Sequence, residues 1–259
     1  MYVKTDYTDV TELSGDHVTQ EQMDRIYQRY YWAGNFCKGK DVVELACGTG
    51  QSLGFISKLA NSLIAGDISA PMVAKARKYY GERIDIRLMD ALDTGLSDSS
   101  CDVVILFEAI YYLQDIKRFI GECHRILRKQ GCLLIATANK DLFDFNPSPY
   151  SCVYYGVVEL GDILTSNGFE CEFFGGNPVA STAFRQRLLR PIKAFAVRLN
   201  LIPDTMAAKK IIKRFVFGRL VPMPAEIISG HRDVILPQAV LRGIADREHK
   251  VIYCAARKN

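Results

Sequence analysis

The chain lacks the residue spacings that most metal-binding and nucleophilic sites require. Its four histidines, at 17, 124, 231 and 249, have neither metal-ligand nor nucleophile spacing. Of these, His124 falls within a predicted helix, and His231, beside Arg232 and Asp233, is a candidate for acceptor contact only. Eight cysteines stand at 37, 47, 101, 123, 132, 152, 171 and 254, and no two form a C-x-x-C pair. That excludes zinc-ribbon and thioredoxin-like readings. There is no Gly-x-Ser-x-Gly elbow, Walker loop or His-Glu-x-x-His. No run reaches the ~18 apolar residues of a membrane span. The first residues, Met-Tyr-Val-Lys-Thr-Asp, lack the basic-then-apolar pattern of a secretory signal. Several cysteines sit inside apolar strand patterns, where they act as small hydrophobes. A reducing cytoplasm is the expected location, with no metal.

Hydrophobic content of 49% and charged content of 24% are those of an ordinary globular chain. At 259 residues, one α/β domain with a decorated lobe is expected. A domain of that size buries roughly three quarters of its unfolded-chain surface and needs no staples.

The most informative segment is 42–50, Val-Val-Glu-Leu-Ala-Cys-Gly-Thr-Gly. A mainly apolar run ends in a glycine turn, and a helical pattern follows at once. This predicts a buried parallel strand feeding a helix N-terminus. Glycine lets backbone lie directly against a ligand. The free N–H groups of a helix start favour an anionic or polar group. A dinucleotide G-x-G-x-x-G is not completed, because its third position holds Leu53 and glycine returns only at Gly54. Glu44 lies within the strand, where it would suit a cationic ligand amine.

Thr19 with Gln22 forms a predicted capping box. The helix it opens runs to about Phe36, with Met23, Ile26, Tyr30 and Ala33 on one face. Strands are predicted at 42–46, 62–66, 84–89, 101–107 and 132–138. Helices are predicted at 51–60, 70–80 and 115–127, with a turn at Lys129-Gln130-Gly131 ending the last. Regular alternation of this kind predicts a parallel sheet covered on both faces. Further on, a helix at 157–167, a strand at 171–174 and a final strand at 250–256 are predicted.

Three acidic positions follow strand ends. Asp67 ends the second strand, 17 residues beyond Gly50. A carboxylate there can accept two hydrogen bonds from a ribose diol; its alternative role is an N-cap. Asp90 ends the third strand. Glu108 leaves the fourth, within Phe107-Glu108-Ala109-Ile110-Tyr111-Tyr112, at the strand edge where open α/β sheets bind ligands. Glu108 would orient a ligand or act as a general base, or else cap the next helix. Tyr111 and Tyr112 would line an acceptor pocket or pack half-buried.

Residues 42–50 resemble the first motif of the class I S-adenosylmethionine-dependent methyltransferases, E/D-x-G-x-G-x-G. Ala46 replaces the first glycine and Ser52 the third. The resemblance implies a Rossmann-like seven-stranded mixed sheet with helices on both faces. It implies a donor site of Glu44, Ala46, Cys47, Gly48, Gly50 and Phe107, with Asp67 on the ribose. Asp90 would accept from the adenine amine, with Ala91 as the small residue that follows it. Ile68, Met72 and Leu92 would touch the purine, Met72 having plain helix core as its other reading. The implied reaction is in-line methyl transfer from S-adenosylmethionine to a small-molecule acceptor. An RNA or protein acceptor and a non-catalytic donor-binding module are the competing readings.

The expected organisation is an N-terminal arm and covering helix (1–40), a core (41–177), a basic helical insertion (178–245) and a final core strand (246–259). Residues 178–220 hold ten basic residues and one acid, a charge of +9 in a chain of net +4, so the remainder carries −5. Phe184, Leu188, Ile192 and Phe195 recur at helical spacing among arginines and lysines. The segment 184–219 is therefore a solvated helical face, or one that meets anionic lipid or a phosphate-bearing acceptor. Nucleic acid is not the expected partner, because no recognised RNA-binding module accompanies the charge. The covering helix and basic segment together resemble bacterial methyltransferases of polysaccharide or lipid-linked sugar synthesis.

A Gly48→Val variant should lose donor binding, because the side chain blocks backbone approach. Calorimetry showing unchanged affinity in a folded variant would reject that role for Gly48.

Overall fold

In the computed structural model, residues 13–179, 220–228 and 234–259 are described. In chain order the strands are β1 (His17–Val18), β2 (Asp41–Leu45), β3 (Ser62–Asp67), β4 (Asp85–Leu88), β5 (Cys101–Phe107), β6 (Leu127–Ala138), β7 (Phe169–Pro178), β8 (Val221–Pro222), β9 (Gln238–Val240) and β10 (His249–Lys258). The helices are α1 (Gln20–Cys37), α2 (Leu53–Ser57), α3 (Ala70–Tyr80), α4 (Ile116–Ile126) and α5 (Val157–Ser166). The chain divides into two compact units, one of residues 1–95 with 203–234, the other of 96–202 with 235–259.

In the first unit, Thr19 opens α1 as the sequence predicts. Its hydroxyl accepts from the Gln22 N–H, and the Gln22 side chain accepts from the Thr19 N–H. Strands β2, β3 and β4 pair in parallel, Val43 opposite Ile64 and Ala65 opposite Ile86. Helix α3 carries proline in its first turn, where no donor is missed. It packs Val73, Ala76 and Tyr80 with Leu53, Ala65, Ile84 and Ile86. Helix α2 is shorter than the predicted 51–60. Its ends tighten into i→i+3 bonds, Leu53 to Gly50, Phe55 to Ser52 and Leu59 to Ile56, which end the α-helical ladder.

Segment 220–228 belongs to this unit. β8 pairs antiparallel with β1. Met223 and Ile227 are buried with Val18, Met23, Ile26 and Tyr27 of the helix α1 region. The Ile227 N–H donates to the Gln51 carbonyl, immediately after the glycine turn.

In the second unit β5 and β6 are parallel, and β10 lies antiparallel to both β6 and β7. Asp115 caps α4 by accepting from the Arg118 N–H. That helix buries Phe119, Ile120, Cys123 and Ile126. Each large apolar side chain buried this way contributes roughly 1.5–3 kcal/mol. The predicted turn at 129–131 is instead a bulge within β6. Leu127 already pairs with Cys101, the register shifts before Val103 meets Cys132, and Gln130 takes a φ of 64°.

The sheet strands number three in the first unit and five in the second, eight against the seven expected. The addition is β9, which pairs with β7 through Phe173 and Val240. It lies within the segment expected to be a helical insertion. Three residues are too few to show a period of two, so the sequence carries no sign of it. The basic residues of 180–219 lie outside the described residues. Among the described residues no helix is long and apolar enough to cross a membrane.

Gly175 marks a close approach. A Cβ there would lie 2.2 Å from His249 Nδ1 and 2.3 Å from its Cγ. The histidine is itself 8% exposed and tied by hydrogen bonds, so it cannot swing aside. Gly175→Ala should destabilise the fold by about 1–3 kcal/mol through overpacking. Urea midpoints equal to the parent's would show that the ring moves freely.

Candidate functional site

The end of β2 delivers the glycine turn. Ala46, Gly48 and Gly50 all take left-handed backbone, with φ of 55°, 57° and 83°. Ala46 stands there at a cost of roughly 1–2 kcal/mol relative to glycine. The turn is stitched by Cys47 N–H to the Gly66 carbonyl and Gly50 N–H to the Cys47 carbonyl, each 3.0 Å. Cys47 is buried beneath it.

Asp67, at the end of β3, holds the same turn. Its Oδ2 accepts the Gly48 N–H and its Oδ1 the Ser69 N–H, both at 2.8 Å. The carboxylate is 8% exposed. Burial pushes its pKa up, and the two main-chain donors pull against that. Each oxygen accepts one of these bonds, and each has a second lone pair. Next to it, Ile68 exposes 51% of its surface, an apolar side chain left open beside a polar anchor. Met72, on α3, is buried at 1% exposure.

Asp90 is exposed, and its Oδ1 accepts the Leu92 N–H at 2.9 Å. That closes a tight Asx turn, with Ala91 half-buried inside it and Leu92 half-buried after it.

Glu44 is buried on β2, with 2% exposed. Its carboxylate accepts the Tyr30 hydroxyl at 2.8 Å and the Ser52 hydroxyl at 2.8 and 2.9 Å. It thus joins helix α1 to the turn before α2. Burial pushes its pKa to about 7, against the pull of Tyr30, Ser52 and Arg29. The serine that replaces the motif's third glycine is one of its donors.

Tyr80 was not singled out from the sequence. From the last turn of α3 its hydroxyl donates to the Gly50 carbonyl at 2.7 Å and accepts the Gly54 N–H at 3.2 Å. An aromatic at a helix end carries no sign of that bridge.

In the second unit, β5 ends at Phe107, buried at 8% exposure. Glu108 follows with a φ of 52°, its N–H donating to the Ala136 carbonyl. The short helical turn 110–112 has no side-chain cap, so Glu108 does not serve as one. Instead its Oε2 accepts the Tyr111 hydroxyl at 3.1 Å. Tyr111 packs edge-on to Tyr112 and stacks on Tyr154, with centroids 4.6 Å away in both cases. Phe145 meets Tyr154 edge-on at 4.7 Å. The loop carrying Phe145 and Tyr154 is docked by the Cys152 N–H on the Tyr111 carbonyl. Phe145 and Tyr154 were also not singled out from the sequence, since only the fold brings them to Tyr111.

Residues 43–135 match the family described as a methyltransferase domain. Over that segment the chain is similar to S-adenosylmethionine-dependent methyltransferases. A protein of Mycolicibacterium smegmatis named "probable S-adenosylmethionine-dependent methyltransferase" is 35% identical over 151 residues, 57% of this chain and 57% of that protein. A Mesorhizobium japonicum ubiquinone biosynthesis O-methyltransferase is 24% identical over 108 residues, 40% of this chain and 43% of that one. The chain spans little more than half the length of the first curated relatives it matches. Among solved structures, the [4+2]-cyclase SpnF aligns over 95% of this chain and 84% of its own, with a TM-score of 0.60 and 18% identity. YcgJ of Bacillus subtilis aligns over 92% of this chain and 97% of its own, with a TM-score of 0.53 and 14% identity. These two share the fold of this chain.

The raised pKa of Glu44 has a stability consequence. The folded domain holds a proton there up to about pH 7, whereas the unfolded chain releases it near 4.5. Between those values the native state binds more protons, so stability falls as pH rises, by at most about 3 kcal/mol. Glu44→Gln should remove this decline. Urea midpoints measured from about pH 4 to 8 check it; a variant with the parent's slope would place the titration elsewhere.

Proposed function

We propose that this protein transfers the methyl group of S-adenosylmethionine to a small-molecule acceptor. Asp67 carries the reading. It is a buried carboxylate at a strand end, already fixed by two main-chain donors and with lone pairs left on both oxygens. That chemistry suits the adjacent hydroxyls of a ribose. The glycine turn brings bare backbone beside it, and the open side chain of Ile68 suits a purine face. Asp90, Ala91 and Leu92 would hold the adenine edge. Cys47, Gly48 and Gly50 would line the remainder, with Glu44 setting the turn from behind.

When bound, S-adenosylmethionine supplies a methyl group already activated on a positively charged sulfur. The protein's part is to hold an acceptor in line with it and to keep water out. Glu108 with Tyr111, and the aromatic group of Tyr112, Tyr154 and Phe145, would orient an acceptor carrying a flat or apolar body. The Mesorhizobium japonicum relative, named as an O-methyltransferase, favours an oxygen nucleophile. The +9 segment supports a second reading, in which a phosphate-bearing acceptor or an anionic membrane meets residues 184–219. Eight free cysteines, seven of them buried, support a reducing cytoplasm as the setting.

Replacing Asp67 with asparagine removes the charge and one acceptor oxygen. S-adenosylmethionine affinity in calorimetry should fall roughly tenfold to a hundredfold, the worth of charge-assisted hydrogen bonds. Methyl label from the donor, incubated with cell extract, should appear in the small-molecule fraction. An Asp67→Asn protein with parental donor affinity, or label found only in protein or nuclease-sensitive material, would overturn the reading.

A further inference from the structure

In the sequence, Gly54 is a glycine that returns one place too late for a dinucleotide motif. The structure gives it another use. It lies on α2 against the side chain of Glu226, and a Cβ added at position 54 would overlap that residue's carboxylate and Cγ. Glu226 comes from the segment after β8, and its side chain is 12% exposed. Around the carboxylate stand the Lys58 ammonium at 3.4 Å, the Arg83 guanidinium at 3.8 Å and the Tyr79 hydroxyl at 3.5 Å. Arg83 in turn lies over the ring of Tyr80, 5.0 Å from its centroid. Tyr80 is the residue whose hydroxyl bridges Gly50 and Gly54. Methyl transfer as read above gives Glu226 no part.

Its neighbours are tied to the same place. The Ile227 N–H donates to the Gln51 carbonyl at 2.8 Å, and the Tyr31 hydroxyl donates to the Ile228 carbonyl at 2.9 Å. The Met223 N–H donates to the Asp16 carbonyl at 2.7 Å, and the Met223 carbonyl accepts the Gly15 N–H at 2.8 Å. Beside them, the Ser14 N–H donates to the Thr49 hydroxyl at 3.4 Å. Segments 13–16 and 223–228 are thus joined to each other, and each is bonded to the glycine turn or to the residues straight after it. All of these groups belong to the first compact unit. The turn they hold is costly on its own, with Ala46, Gly48 and Gly50 all left-handed. A donor lying on the turn and a segment docked behind it favour the same backbone. Each therefore lowers the ordering cost that the other meets.

We propose that residues 223–228 form a strap whose docking and S-adenosylmethionine binding reinforce each other, with Glu226 as the positioning residue that seats the strap on Gly54. This rests on the reading of the glycine turn as the donor site. The seat is steric before it is electrostatic. Lys58 and Arg83 are 65% and 60% exposed, so their attraction to the carboxylate is screened and weak. The stem and head of Glu226 instead fill the space that a missing Cβ leaves on α2. Glycine is otherwise a poor residue inside a helix. Contact with Glu226 gives position 54 a reason to carry it.

Hydrogen exchange of the full chain, with and without S-adenosylmethionine, tests the coupling without any acceptor. The amides of Ile227 and Met223 should exchange about fivefold or more slowly once the donor is bound. Glu226→Ala should weaken donor affinity in calorimetry by about the same factor. Gly54→Ala should do likewise, because the new methyl group displaces the Glu226 side chain. The double variant should bind no more weakly than either single one, since the contact is already gone and alanine then simply suits the helix. Glu226→Gln keeps the stem and loses only the screened charge, so it should recover most of the affinity lost in Glu226→Ala. If it binds as weakly as Glu226→Ala, the steric seat is wrong. Donor binding that leaves both amides unchanged overturns the strap alone. So do losses that add in the double variant. A Glu226→Ala protein with a lowered urea midpoint but parental donor affinity shows a purely structural contact and also ends the proposal. A parent chain that binds no S-adenosylmethionine sinks the donor reading and the strap with it.

Discussion

The bond pair from Gly48 and Ser69 to the carboxylate of Asp67 is the constraint on which the glycine turn depends. It fixes the glycine turn to the end of the neighbouring strand, so two segments that only run parallel become one surface. A buried carboxylate is costly unless it is hydrogen-bonded. Here the donors are main-chain N–H groups that the turn and the start of α3 expose in any case. The anchor therefore costs little to keep ordered, and each of its oxygens keeps a second lone pair.

Around that anchor, three side chains set the turn from behind. Glu44 gathers the hydroxyls of Tyr30 and Ser52. Tyr80 bridges the Gly50 carbonyl and the Gly54 N–H. Each reaches the turn from a different element, α1, β2 or α3. The turn's left-handed backbone, including the unfavourable Ala46, is thus over-determined by its surroundings.

Much of this was legible in residue order. The capping box at Thr19, the apolar run into Gly48 and Gly50, the proline at the start of α3 and the aspartates at strand ends are local signals, and each has a local cause. What the sequence concealed was long-range. Tyr80 looks like any helical aromatic until the turn is placed beneath it. Tyr154 and Phe145 meet Tyr111 only through the docked loop after β6. The turn at 129–131 reads as a helix stop because Gln130 and Gly131 are turn residues, yet pairing of Leu127 with Cys101 draws it into a strand. β9 is too short to show a period. His249, without metal or nucleophile spacing, gains a partner only because a three-residue turn returns Asp246 to it.

The interleaving of the two units has a consequence for biogenesis. Met223 and Ile227 close the apolar cluster around helix α1, and Ile227 ties down the residue after the glycine turn. These residues are made some two hundred positions after the helix they cover. The first unit therefore waits on the ribosome with an open flank while residues 96–202 of the second are synthesised. A chain halted before residue 228 would present that flank to chaperones and proteases.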